Sequence, residues 1–364
     1  MSKLKDLGAA GTAPWLDFVD RKFLAEGGLQ TLVDEDGLTG VTSNPTIFEK
    51  AMGAQDVYAE GFADYDAANP GAEPMARYES QAVKDIQAAC DTLRPVYDRL
   101  EAKDGYVSLE VSPYLALKGP ETAEEAERLW KAVDRPNLMI KIPGTDDGVR
   151  AIRDTIAKGI NVNVTLLFGQ QAYQAVAIAH AEGLEERVSK GLPIERIASV
   201  ASFFVSRIDS KIDEKIDAGV GGEEAKALKG KVAIANAKLA YAWWQEFVAS
   251  ERWQKLAAKG AQPQRLLWAS TGVKNPDYPD TLYVDTLIGP ETVNTMPPKT
   301  MDAFRDHGTV AQTLTADVDE ARRVLAETER LGLDLDGVTK GLVDEGVASF
   351  VKSFDDLLAT IGKK

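Results

Sequence analysis

The stretch Asn137-Leu138-Met139-Ile140-Lys141-Ile142-Pro143-Gly144-Thr145 is the part of this sequence that best indicates the fold. It is a short apolar run with one lysine inside it, and a Pro-Gly pair follows. This pattern is typical of a buried strand that ends in a turn. Because alternate side chains of a strand face opposite ways, Lys141 is predicted to face away from Leu138 and Ile142.

A lysine in a buried strand needs an explanation, because lysine is almost never fully buried without a partner. In one interpretation, Lys141 is structural and pairs with a carboxylate or lies at a sheet edge. In the other, Lys141 is kept dry so that its amine is neutral and nucleophilic. The stretch alone leaves both interpretations open.

The rest of the chain repeats one unit, in which a short strand with a polar end is followed by a helix. Eight such strands are predicted, near Ala13–Phe18, Gly40–Ser43, Tyr106–Val111, Asn137–Thr145, Asn161–Leu166, Ile197–Phe203, Arg265–Ala269 and Glu291–Met296. Strands that alternate with helices indicate a parallel sheet covered by helices. The predicted fold is therefore α/β, a (β/α)8 TIM barrel with additional helices and a helical C-terminal tail.

The 364 residues are expected to form a single barrel domain, a length that this fold accommodates with insertions. Helical insertions are predicted near 46–104 and 217–260, and a helical tail near 300–364. Helices are also predicted over Arg21–Val33, Asp146–Ala157, Gln170–Ser189 and Glu223–Ser250. Within the tail, 338–361 has the pattern of an amphipathic helix. Its apolar side is expected to pack on the barrel, cover the cavity mouth or meet another subunit.

Composition excludes several classes of protein. The formal net charge is -15, which argues against nucleic acid as a partner. Cys90 is the only cysteine, so no internal disulfide can form, and a reducing compartment is expected. Two histidines are too few for a multi-histidine metal site. Because the sequence has neither a signal-peptide pattern nor a long apolar run, a cytoplasmic protein without a membrane partner is expected.

Polar residues lie in or just after the predicted strands, where the active sites of such barrels are found. They are Asp17, Asn44, Glu110, Lys141, Asn163, Thr165, Ser202 and Ser270. One amine and two carboxylates would thus face one cavity. A lysine can form a Schiff base with a carbonyl, and a carboxylate can take a hydroxyl proton during carbon–carbon cleavage.

Two other functions use the same residues differently. Asp17 and Glu110 could form the carboxylate pair of a glycosidase, which would leave Lys141 without a role. The barrel could also bind a small molecule without catalysis, because a fold does not fix a function.

Several polar residues also have structural interpretations. Asp17 could cap the helix that follows it, and Asn44 before a proline could be an ordinary turn residue. Asn163 and Thr165 could form a hydrogen-bonded polar layer inside the barrel.

Five segments at predicted strand ends resemble the transaldolase family in its longer bacterial form. They are Gly40-Val41-Thr42-Ser43-Asn44-Pro45-Thr46, Val107-Ser108-Leu109-Glu110-Val111, Met139-Ile140-Lys141-Ile142-Pro143, Ile160-Asn161-Val162-Asn163-Val164-Thr165-Leu166-Leu167-Phe168 and Ala201-Ser202-Phe203-Phe204-Val205-Ser206-Arg207. The resemblance runs from Asp17 to about Met296. Each segment alone is weak, but five in family order are specific.

The resemblance implies a role for each residue. Lys141 would attack C2 of a ketose phosphate, and Asp17 would take the C4 hydroxyl proton. Glu110 and Thr165 would hold a catalytic water. The dihydroxyacetone unit would be held by Asn44 and Asn163, with Ser202 beside them.

The reaction implied for the family is a transferase reaction of carbohydrate metabolism. Sedoheptulose 7-phosphate and glyceraldehyde 3-phosphate give erythrose 4-phosphate and fructose 6-phosphate, in the non-oxidative pentose phosphate pathway. The resemblance implies sugar phosphates as substrates and neither a metal nor another cofactor. A simple aldolase that releases free dihydroxyacetone, as in the related fructose-6-phosphate aldolases, is the alternative within the class. Monomer and homodimer both stay open.

The substrate phosphate is expected at the rim of the barrel, where cations and hydrogen-bond donors are needed. Arg207 lies in the first turn of the helix after the sixth strand, and Ser270 ends the seventh strand. Arg207 could alternatively pair with Asp209. Shorter transaldolases carry a second arginine where this chain has Gly272, and we predict that Lys274 supplies the missing charge.

Overall fold

The computed structural model contains eight parallel strands that close into a barrel, and it describes residues 2–54 and 56–362. The strands are β1 (Thr12–Leu16), β2 (Gly40–Val41), β3 (Tyr106–Glu110), β4 (Leu138–Pro143), β5 (Val162–Leu167), β6 (Ser199–Phe204), β7 (Arg265–Ala269) and β8 (Thr292–Met296). Each strand pairs with the next along the chain, and β8 pairs with β1. The predicted (β/α)8 barrel is confirmed.

Helices surround the barrel. Some belong to the repeated strand–helix units, and others lie before, after or between those units. They are α1 (Lys3–Ala9), α2 (Arg21–Ala25), α3 (Gly28–Asp36), α4 (Pro45–Ala54), α5 (Ala59–Ala68), α6 (Pro74–Arg99), α7 (Gly119–Val133), α8 (Asp146–Ala157), α9 (Gln170–Ser189), α10 (Ser206–Asp217), α11 (Gly222–Ala225), α12 (Val232–Ala249), α13 (Glu251–Ala257), α14 (Leu282–Asp285), α15 (Pro298–His307), α16 (Val318–Arg330) and α17 (Leu335–Ile361). Among these described helices, none is long and apolar enough to cross a lipid bilayer.

Strand β4 has the two faces that its sequence predicts. Ile140 and Ile142 are fully buried, and the neighbouring α7 and α8 pack against this strand. Lys141 faces the barrel interior, where its amine donates a hydrogen bond to the carbonyl oxygen of Ser43 at 3.0 Å. Alternation along β4 therefore directs the two isoleucines into the apolar layer between strands and helices, and Lys141 into the polar interior of the barrel.

Strand β5 is irregular near its end. Its register against β6 shifts between Val164 and Leu167, and Leu166 adopts a left-handed backbone with φ of +59°. A bulge of this kind redirects side chains, and it is costly for a large residue. The simple alternation predicted for this strand therefore ends at Thr165.

Two helices predicted as continuous are broken by glycines. The helical pattern from Arg21 to Val33 divides into α2 and α3 at Gly27, whose φ is +77°. The helix predicted over Glu223–Ser250 divides at Gly230, whose φ is +70°. Both glycines adopt a left-handed backbone that other residues rarely accept, which ends the preceding helical segment.

The C-terminal tail forms three helices and then lies across one end of the barrel. The prediction of a continuously helical tail is wrong for residues 308–317, which separate α15 from α16. The last helix, α17, contacts α4, α10 and the end of β5, which all lie at the carboxyl ends of the strands. Gly346 of α17 packs on Leu166, because a Cβ there would lie 2.8 Å from Cδ2 of Leu166. The helix therefore packs on the barrel at the face where the polar strand ends meet.

Candidate active site

The amine of Lys141 lies inside the barrel between two polar strands. The residue is 4% exposed. In the sheet, Lys141 is opposite Glu110 of β3 on one side and Asn163 of β5 on the other. Its Nζ atom is 3.5 Å from Oε2 of Glu110. A buried amine thus has a carboxylate as its closest charged neighbour.

Glu110 is a buried carboxylate that lacks the hydrogen bonds usual for such a group. Neither of its oxygens accepts a hydrogen bond of ordinary geometry within the described chain. Burial raises the pKa of Glu110 to about 7, although the positive charge of Lys141 opposes the rise. The charge of Asp17 adds to it. A carboxyl with a pKa near neutrality can both give and take a proton at physiological pH.

Asp17 follows β1 and faces the same interior. Its Oδ1 atom accepts a hydrogen bond from the hydroxyl of Thr42 at 2.6 Å. Burial raises the pKa of Asp17, whereas the charge of Lys141 and the Thr42 bond lower it. The interpretation of Asp17 as a helix cap is wrong, because Asp20 is the residue that caps α2 by accepting from the amide of Phe23.

A hydrogen-bonded row lies beside the lysine. The amide nitrogen of Asn163 donates to the hydroxyl of Ser108 at 2.9 Å, and the hydroxyl of Ser202 donates to Oδ1 of Asn163 at 2.7 Å. Three strands, β3, β5 and β6, are linked in this way. For Asn163 the interpretation as a satisfied polar layer is therefore correct, and the same row borders Lys141.

Thr165 does not belong to that satisfied row. It is fully buried, and its hydroxyl oxygen has no hydrogen-bond partner among the described residues. The residue after it is Leu166, at the bulge of β5.

Asn44 is half-buried at the end of β2, and its Oδ1 atom accepts a hydrogen bond from the amide of Ile47 at 3.0 Å. Asn44 therefore caps α4 through its side-chain oxygen, a structural role other than the turn residue that the sequence suggested, and its amide nitrogen is left for other contacts.

The rim carries two cations that act on the same carboxylate. The positive charges of Arg207 and Lys274 both lower the pKa of Asp17. In turn, partial burial and the charge of Arg207 lower the pKa of Lys274. Lys274, the residue predicted to replace an arginine, is therefore within electrostatic range of Arg207 and Asp17.

The other neighbours of Arg207 exclude its alternative pairing. Its guanidinium lies over the ring of Phe204, 5.3 Å from the ring centre. Asp209 does not pair with it, because this carboxylate accepts from the amide of Ala233 and the hydroxyl of Tyr283. Arg207 is thus a half-buried cation without a fixed carboxylate partner within the described residues.

Ser270 adjoins these cations at the end of β7. Its φ is +54°, and its hydroxyl lies 3.0 Å from that of Ser206, which begins α10. Sequence reasoning missed Ser206 and Thr42 as parts of the site. Both belong to segments that carried the family resemblance, so their position at strand ends was the available signal.

Comparisons with known proteins match this chain over nearly its whole length. Residues 14–361 match the family model described as Transaldolase/Fructose-6-phosphate aldolase. A protein of Frankia alni named Transaldolase is 49% identical over 99% of this chain and 97% of its own length. Transaldolases of Thiobacillus denitrificans and Thermobifida fusca are each 48% identical, over all of this chain and over 100% and 98% of their own lengths.

Proposed function

Because this chain belongs to the transaldolase/fructose-6-phosphate aldolase family, we propose that Lys141 is the amine that carries the dihydroxyacetone unit. The enzyme is a transferase. Its ketose phosphate donor is sedoheptulose 7-phosphate or fructose 6-phosphate, and its aldose phosphate acceptor is glyceraldehyde 3-phosphate or erythrose 4-phosphate. This reaction belongs to the non-oxidative pentose phosphate pathway. The observation that carries the proposal is the buried amine of Lys141, 3.5 Å from a carboxylate that titrates near neutrality.

The first step forms a bond between the Lys141 nitrogen and C2 of the ketose. The C2 oxygen must then leave as water, which requires a proton. Glu110 is suited to deliver this proton, because its pKa of about 7 allows it to be protonated at neutral pH. Thr165 and Glu110 both have buried oxygens that make no ordinary hydrogen bond within the described chain, which suits them to hold the water that departs and later returns.

The second step breaks the C3–C4 bond. Asp17 takes the proton of the C4 hydroxyl, the C4 carbonyl forms, and the electron pair of the broken bond moves into an enamine on Lys141. The aldose phosphate leaves. The same steps in reverse join the enamine to the acceptor, and water then releases the new ketose from Lys141.

Three neutral residues are assigned to the hydroxyl groups of the dihydroxyacetone unit. Asn44 offers its amide nitrogen, because its oxygen already caps α4. Asn163 keeps one of its two amide hydrogens after bonding Ser108, and Ser202 keeps its acceptor lone pairs after bonding Asn163. The proposal assigns these groups to the hydroxyls on either side of C2, which Lys141 would hold.

The phosphate is assigned to Arg207, Ser270 and Lys274. A dianion favours two nearby cations, and Ser270 adds a hydroxyl donor beside them. The first turn of α10 adds backbone amides and the positive end of its dipole.

We assign the enzyme to the cytoplasm. The support is that its one cysteine, Cys90, is free and buried, as is usual in a reducing compartment.

The test is reductive trapping. The protein is incubated with fructose 6-phosphate and borohydride, and its peptides are then mapped by mass. A three-carbon adduct on Lys141 is expected, together with its loss in Lys141→Met. An adduct on a different lysine, or none at all, would contradict the proposal. Release of free dihydroxyacetone without an acceptor, at a rate equal to turnover, would identify a simple aldolase instead.

A further inference from the structure

Two tyrosine–aspartate hydrogen bonds join the two parts of the chain that carry the rim cations. The hydroxyl of Tyr278 donates to Oδ2 of Asp213 at 2.5 Å. The hydroxyl of Tyr283 donates to Oδ2 of Asp209 at 2.9 Å. Both aspartates lie on α10, and both tyrosines lie in the segment after β7. We call these four residues the tyrosine–aspartate clamp.

The clamp joins the two chain segments that carry the phosphate-site residues, but it contains none of those residues. Helix α10 carries Arg207 in its first turn. The segment after β7 carries Ser270 and Lys274, and it contains neither helix nor strand until α14 begins at Leu282. The position of Lys274 relative to Arg207 therefore depends on what fastens this irregular segment to α10.

The Tyr283–Asp209 bond of the clamp is buried, and the Tyr278–Asp213 bond is partly buried. Asp209 is 1% exposed, Asp213 is 7% exposed and Tyr283 is 2% exposed. The ring of Tyr278 lies against Gly230, where a Cβ would come within 2.9 Å of Cζ. Because hydrogen bonds to buried carboxylates are among the stronger ones, this arrangement can hold the segment firmly.

The two cations at the rim, Arg207 and Lys274, need contacts that hold them near each other. Arg207 and Lys274 repel each other, which is why the charge of Arg207 lowers the pKa of Lys274. The charge of Asp17 attracts Lys274 and raises its pKa, but this effect is smaller than the opposing effects of burial and of Arg207. A flexible lysine loses considerable conformational freedom when it is held in one position. Without a bound anion, contacts elsewhere in the segment therefore add to the attraction of Asp17 in keeping the two cations close.

We propose that Tyr278 and Tyr283 are positioning residues for the phosphate site. By bonding Asp213 and Asp209, they hold Lys274 beside Arg207 so that both cations meet one phosphate. The clamp thereby contributes to the preference for phosphorylated substrates without touching them. This inference rests on the proposed phosphate role of Arg207 and Lys274.

The test compares Tyr278→Phe and Tyr283→Phe with a matched control, Tyr241→Phe. Tyr241 also donates a single hydrogen bond, to the carbonyl oxygen of Pro290 at 3.0 Å, but it is remote from the rim. The measured quantities are KM for fructose 6-phosphate with erythrose 4-phosphate as acceptor, kcat, and the inhibition constant of inorganic phosphate. Each clamp variant is expected to raise KM and the inhibition constant about three- to tenfold. Its kcat and the constants of the control should stay within about twofold, because none of these hydroxyls is assigned a contact with the substrate.

A double variant separates positioning from a general loss of structure. Lys274→Ala alone is expected to raise KM about tenfold or more, as for a lost hydrogen bond to a charged group. Adding Tyr278→Phe should then raise KM no further, because the tyrosine acts through Lys274. A full additional increase in the double variant would overturn the inference.

The two possible failures can be told apart. An unchanged KM in Lys274→Ala would refute the proposed phosphate role. A raised KM in Lys274→Ala, with unchanged constants in both clamp variants, would refute the clamp alone. Should Tyr278→Phe fold poorly, Asp213→Asn weakens the same bond while it keeps the shape and an acceptor, and a KM equal to that of the parent would likewise refute the clamp.

Discussion

The amine of Lys141 and the carboxylate of Glu110 lie 3.5 Å apart on neighbouring strands, and within the described chain neither oxygen of that carboxylate accepts a hydrogen bond of ordinary geometry. Residues paired in register on β3 and β4 create this contact. A buried carboxylate left so unsatisfied is costly for stability, and such sites are common where a group must exchange protons.

Glu110→Gln is expected to slow Schiff-base formation more than it weakens substrate binding. The amide keeps the shape but cannot give or take the proton, so kcat should fall about 10²- to 10⁴-fold, the range for loss of a general acid or base. Addition of borohydride at successive reaction times would measure the slower formation of the adduct on Lys141. In the parent, the pH profile of kcat should change slope near pH 7, where Glu110 titrates. Persistence of that change in Glu110→Gln would assign it to another group.

Glu110 should also make stability depend on pH. Burial raises its pKa in the folded state above that of the unfolded chain. Between about pH 4.5 and pH 7 the folded state therefore binds more protons than the unfolded state, and stability falls as pH rises through this window. Glu110→Gln lacks this titration. The unfolding free energy of the parent minus that of the variant should fall by about 2 kcal/mol from pH 5 to pH 8.

Urea unfolding of both proteins at four pH values between 5 and 8 would measure that difference. The comparison cancels the titrations that the two proteins share. A difference that is constant or rises with pH would show that burial does not dominate the pKa of Glu110.

Asp17→Asn should separate adduct formation from carbon–carbon cleavage. Without a base for the C4 hydroxyl, fructose 6-phosphate should form its adduct on Lys141 but fail to lose the aldose phosphate. Mass mapping after borohydride should then find a six-carbon phosphorylated adduct in place of the three-carbon one, with kcat lowered about 10²-fold or more. A three-carbon adduct formed at the parental rate would exclude Asp17 as the base.

The contact of α17 with the barrel can be tested with two glycines of that helix. Gly346→Ala places a Cβ 2.8 Å from Cδ2 of Leu166 and should lower the unfolding free energy by about 1 kcal/mol or more. Gly341→Ala is the control, because nothing lies within 4 Å of the added atom and the position is exposed. It should raise stability by up to about 1 kcal/mol through helix propensity. Equal effects of both changes on thermal unfolding would argue against close packing of α17 on β5.

Much of the fold could be predicted because its signals are local. The strand β7 and the helices α8 and α9 have the bounds that the sequence indicated, since their apolar periods and turn residues lie within the elements themselves. The breaks at Gly27 and Gly230 were missed, because a glycine is tolerated inside a helical pattern and only its backbone angle ends the helix.

Local patterns were enough to predict the barrel and the residue types at its strand ends, because alternation and chain order act over short distances. Which of those residues meet depends on the tertiary structure. The register of β3 against β4 puts Lys141 beside Glu110, and the bulge at Leu166 ends the alternation of β5 after Thr165. Within the clamp, the hydrogen bond from Tyr278 to Asp213 joins residues that are 65 positions apart in the sequence. Contacts over such separations depend on the register and curvature of the whole sheet, which no local pattern in the sequence encodes.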